Sequence, residues 1–104
     1  MQLTIEDIKI VSTDDFVFDG KKYFEGYHEH VKQVVLDALT SQTKWYIIRP
    51  KIHNDVENII GKRMTSSFYD SGKFWNCTRM HPDYTLLIKV EDILFIVFTP
   101  CVAI

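Results

Sequence analysis

The spacing of apolar and polar residues along the chain changes several times, and each change marks an expected element. Leu3, Ile5, Ile8 and Ile10 open the chain, with a phase shift at Glu6-Asp7 that breaks the period of two a strand needs. Thr4-x-x-Asp7, flanked by Leu3 and Ile8, would instead suit a short capped helical turn. We read this opening as a strand interrupted at Glu6-Asp7. Ser12-Thr13-Asp14-Asp15 follows as a turn cluster, and Phe16-Val17-Phe18, Asp19-Gly20 and Lys21-Lys22-Tyr23 read as a tight hairpin. Asp-Gly supplies the positive φ angles of a type I′ turn.

Helical spacing then takes over. Phe24, Tyr27, His28, Val31, Val34, Val35, Ala38 and Leu39 share one face, and Glu25, Glu29, Gln33 and Asp37 occupy the other. This predicts an amphipathic helix over about 24–40. Trp45 to Arg49 looks like a short β-type run ended by Pro50. Asn54-x-x-Glu57 resembles a capping box, Ile52, Val56, Ile59 and Ile60 give a shorter apolar stripe, and Gly61 is a natural helix stop. Beyond it the pattern is strand-like. Thr65 to Tyr69 leads into an Asp70-Ser71-Gly72 turn, Lys73 to Met80 returns, and His81-Pro82-Asp83 turns again. Tyr84 to Val90 and Ile93 to Phe98 form the last pair around Glu91-Asp92. The unbroken run Ile93 to Phe98 should be covered on both faces, as in a central strand. The expected fold is one α+β domain over 1–104: a main amphipathic helix and a shorter second helix on a mainly antiparallel sheet ending in a C-terminal meander.

Composition agrees with a folded chain. The sequence has 104 residues, 46% hydrophobic and 25% charged, with only 4 Gly and 3 Pro, so a single unstapled core is feasible. Charged residues within the first eleven exclude a signal peptide. The longest apolar run is far short of the roughly 20 residues of a membrane span. Cys77 and Cys101 lie in no C-x-x-C pair, which points to reduced thiols and a cytoplasmic protein.

Charge changes the picture more. Residues 1–43 carry eight acids and four bases, residues 44–81 seven bases and three acids, and residues 82–104 one base and three acids. The middle third is electropositive on a chain of net charge −2. Arg49, Lys51, Lys62, Arg63, Lys73 and Arg79 there alternate with Trp45, Tyr46, Phe68, Tyr69, Phe74 and Trp75. Cations with aromatic faces suit single-stranded nucleic acid and equally an acidic protein surface. The net negative charge favours the protein.

Other chemistry is thin. His28 and His30, two apart on a helix, point about 200° away from each other and cannot share a metal ion. His28 reads instead as a core-edge histidine hydrogen-bonded by one nitrogen. His53, His81 and Cys77 have no zinc spacing, so no metal site is expected. Gly61-Lys62-Arg63 lacks the first glycine and the hydroxyl residue of a phosphate loop. No serine sits in a G-x-S-x-G elbow. Cys101-Val102-Ala103-Ile104 has the shape of a prenylation box, but without the second membrane signal that stable anchoring requires.

The expected function is therefore a non-enzymatic interaction module, an inhibitor or regulator that occludes an acidic macromolecular partner without a cofactor or membrane. Partner contacts fall to Arg49, Lys51, Lys62, Arg63, Lys73 and Arg79, with a homodimer as a further option. The size would suit an accessory protein of a phage or mobile element. The alternative is a metal-independent ribonuclease or RNA-binding domain, with His53, Arg63, Arg79 and His81 as its catalytic candidates.

Overall fold

The computed structural model describes residues 2–70 and 81–101. The expected Ser71-Gly72 half of a turn, the Lys73 to Met80 strand, Cys77 and the Val102 to Ile104 tail lie outside the described residues. Those described form three α-helices and a four-stranded antiparallel sheet in an α+β arrangement.

The opening segment takes the helical option. Ile5–Asp7 is a 3-10 turn, closed by the Thr4 backbone N–H donating to the Asp7 carboxylate at 2.8 Å. Strand β1 is only Ile8–Ile10. Next, the turn cluster itself makes the reversal: Thr13 N–H donates to the Phe16 carbonyl at 2.7 Å, and Ser12 bridges Val17. Asp19-Gly20 therefore does not close the expected hairpin. Gly20 does take positive φ (+55°), but it caps helix α1, Lys21–Phe24.

The long helix is interrupted. Gly26 at φ +85° separates α1 from α2, His28–Ser41. Helix α3, Trp45–Ile60, runs through Pro50, and this overturns the expected strand there. The reason is burial: Ile48, Ile52 and Val56 lie one turn apart and are all excluded from solvent, which outweighs local propensity. Pro50 removes the donor that would serve the Tyr46 carbonyl, and Tyr46 is an exposed residue that water can reach. Asn54-x-x-Glu57 consequently lies in mid-helix and caps nothing. Gly61 ends α3 as expected, left-handed at φ +74°, donating its N–H to Glu57 at 2.8 Å.

Strands β2 (Met64–Asp70), β3 (Leu86–Val90) and β4 (Leu94–Pro100) complete a sheet ordered β1-β3-β4-β2. Registers Ile88↔Ile96 and Phe68↔Ile96 place alternate residues on the helical face. Leu86, Ile88, Val90, Leu94, Ile96 and Phe98 meet Val31, Val35, Ala38, Ile48, Ile52 and Val56 there. Leu87, Phe95 and Val97 point the other way, against Val11, Phe18 and Tyr69. The C-terminal strand is thus central and buried on both faces, as its unbroken apolar run requires. Among the described residues, no helix is long and apolar enough to cross a membrane.

Candidate functional site

Gly20, α1 and the turn before β3 build one corner of the molecule. Gly20 N–H donates to the Pro82 carbonyl at 3.0 Å and Lys22 N–H to the Asp83 carbonyl at 2.9 Å. Buried Phe24 anchors the helical turn from below. The same turn therefore turns Lys22 and Tyr23 toward Tyr84. Lys22 Nζ sits 4.9 Å from the Tyr84 ring centroid and 5.9 Å from that of Tyr23. Lys62 arrives from the α3–β2 loop, its Nζ also 5.9 Å from the Tyr23 ring. His81 lies tilted against Tyr84, 4.7 Å between centroids and 41° between ring planes, with Nδ1 accepting the Asp83 N–H at 3.2 Å. Tyr23 and Tyr84 lie 5.9 Å apart.

Two lysines and a histidine thus converge on two tyrosine rings from three separate stretches of chain. Cations near aromatic faces are held by the ring quadrupole without losing their charge. Among the described residues no carboxylate pairs with Lys22, Lys62 or Arg63. Elsewhere Lys32, Lys51 and Lys89 are paired with Glu29, Asp55 and Asp92 at 3.4, 3.1 and 3.0 Å. At this corner positive charge therefore stands beside aromatic rings without a carboxylate partner among the described residues.

The predicted cations do not share one surface. Arg49 and Lys51 belong to the first half of α3, whereas Lys62 and Arg63 follow its end, roughly 20 Å further along at 1.5 Å per residue. Arg49 lies over two rings, its guanidinium carbon 6.0 Å from Trp45 and 5.5 Å from Phe68. Lys73 and Arg79 lie outside the described residues.

His53 is placed differently again. Its Nε2–H faces Glu57 Oε1 at 3.3 Å, and its Nδ1 meets Ser66 Oγ at 2.7 Å. The second Glu57 oxygen accepts the Met64 N–H at 2.8 Å. This chain ties α3 to the start of β2. No hydrogen bond or ion pair among the described residues joins His53 to Arg63 or His81. His28 is the expected core-edge histidine: its Nε2–H donates to the Asp19 carbonyl at 2.7 Å. No group of three or more metal-ligating side chains occurs among the described residues. Cys101 is a free, exposed thiol.

Sequence reasoning missed Lys22, Tyr23 and Tyr84. The Lys-Lys-Tyr run was legible, but as a returning strand it faced no partner. Dividing the charge at residue 43 also separated Lys22 from Lys62. The chain matches no protein-family model, no curated protein and no solved structure, so its function is argued from the chemistry of this corner.

Proposed function

We propose that the chain is a small interaction module that binds an acidic macromolecular partner and acts by occluding it. Its contact surface is the corner of Lys22, Tyr23, Lys62, His81 and Tyr84. The convergence of unpaired cations on tyrosine rings carries this reading. Tyrosine supplies a rigid apolar area at low entropy cost, and cations beside it steer an acidic surface and fix register. Protein is preferred to nucleic acid because the chain is net negative, which opposes long-range attraction to a polyanion. In this reading the protein works in the cytoplasm as an inhibitor or regulator.

The test is a capture experiment with immobilised parent, the Lys22→Glu/Lys62→Glu protein and a Lys32→Glu/Lys51→Glu control. Both variants change net charge equally, but the control alters cations already paired within the chain. The corner variant should lose the partners that parent and control retain, and nuclease treatment should leave the parent's set intact. Equal retention by all three proteins would refute the reading. Loss on nuclease treatment, or cleavage of added RNA by the parent, would favour the ribonuclease or RNA-binding alternative.

A further inference from the structure

A second feature lies at the opposite end of α3 and goes beyond the reading above. An apolar recess of about 370 Å³ opens between the start of α3 and the ends of β2 and β4. Leu3, Leu39, Phe68, Val90 and Leu94 wall it, while Trp45 and Ile93, 46% and 65% exposed, stand among its lining. Its volume falls in the range of small-molecule sites, about 300–1,000 Å³, which combine apolar walls with few polar groups.

Arg49 lies where this recess meets a more polar cleft of about 450 Å³, lined by His53, Asn54 and Ser66; the two share Arg49, Phe68 and Tyr69. Trp45 and Phe68 both lie within reach of the guanidinium, at 6.0 and 5.5 Å. Arg49 makes no hydrogen bond or ion pair with another described side chain. A guanidinium beside two rings is an oriented fork of donors, suited to a planar carboxylate. Asp70 lines the same recess, and among the described residues Arg49 is the one cation in that lining. These features together select an apolar body with one anionic head.

We propose that this recess binds a small monocarboxylic acid with an aromatic or aliphatic body. The body occupies the Leu39–Phe68–Leu94 walls and the carboxylate meets Arg49. A ligand of about ten non-hydrogen atoms in such a site should bind with a dissociation constant on the order of 1 mM or below.

The experiment titrates isotope-labelled parent protein with phenylacetate and with hexanoate, then with the corresponding neutral amides. Resonances of the Trp45 indole, the Ile93 methyls and Leu94 are followed. Saturable shifts confined to these groups are expected, with each acid binding at least about tenfold tighter than its amide, a difference of about 1.4 kcal/mol. Arg49→Gln should abolish the preference for acid while leaving amide binding unchanged. The Lys22→Glu/Lys62→Glu protein should bind as the parent does, which separates this site from the corner. The proposal is overturned by the absence of saturable shifts in folded parent, by equal binding of acid and amide, or by an unaltered preference in Arg49→Gln. Loss of binding in the corner variant would also overturn it, by placing the site elsewhere.

Discussion

Gly20→Ala is the substitution whose cost can be worked most directly from the structure. A Cβ at Gly20 would stand 2.5 Å from Phe24 Cδ2 and 3.1 Å from the Leu86 amide nitrogen, on a backbone at φ +55°. Holding a non-glycine residue in the left-handed region costs about 1–2 kcal/mol. The contact adds a second cost, because the Phe24 ring must retreat by about 1 Å, and overpacking of this kind costs about 1–3 kcal/mol. Phe24 cannot swing outward cheaply: it is fully buried, with its ring 6.5 Å from that of Phe98. The sum is roughly 2–5 kcal/mol, and each kcal/mol lowers the melting temperature of a domain this size by about 4–8 °C. Gly26→Ala is the matched control. Gly26 also has positive φ, +85°, but a Cβ there meets nothing within 4 Å, so only the conformational cost applies. Thermal melts followed by circular dichroism should place Gly20→Ala at least about 10 °C below the parent. Gly26→Ala should fall between them. If the two alanine variants melt together, the close approach of Gly20, Phe24 and β3 does not exist, and the placement of α1 is wrong.

Two further substitutions test the α3 assignments. Pro50→Ala restores a helical N–H facing the Tyr46 carbonyl and should raise stability by roughly 1–2 kcal/mol, after allowing for the freer unfolded chain; a lower urea midpoint would mean that the helix begins after Pro50. His53→Ala removes the partner of both Ser66 Oγ and Glu57 Oε1 and should cost about 1–2 kcal/mol. A double-mutant cycle with Ser66→Ala should show the pair coupled rather than additive. Additivity would show that this contact does not tie α3 to β2.

What the residue pattern disclosed, and what it hid, follows one physical division. Ile93 to Phe98 was legible as a central strand because burial on both faces leaves no room for a polar position, although Ile93 itself lies ahead of the strand and is 65% exposed. Gly61 was legible because a left-handed helix end is a local requirement. The first half of α3 was hidden: Trp45 to Arg49 is locally strand-like, and only the alignment of Ile48 with Ile52 and Val56 against the sheet makes it helical. Asp19-Gly20 carried the right backbone angle and the wrong consequence, since positive φ serves a helix start as well as a hairpin. The corner was legible only in part. Lys62 and Arg63 stood out as charge, but Lys22 is forty residues away and reaches the same tyrosines through the bonds of Gly20 and Lys22 to Pro82 and Asp83.

The strand order carries a consequence for how the chain is made. β1 lies at one side of the sheet and pairs with β3, Ile8 opposite Val90, a loop of roughly eighty residues whose closure entropy must be met before that pairing gives anything back. β2 likewise waits for β4. The two-helix unit of α2 and α3 is local and can form while the rest is still being synthesised, at about 5–20 residues per second. Its apolar stripe, from Val31 to Val56, has no sheet to cover it until Leu86 to Phe98 have left the ribosome. Local contacts thus favour assembly from the helices to the C-terminal pair, with the long-range pairing of the first strand the most costly to close. During that interval of several seconds the nascent chain exposes the very surface that later becomes its core.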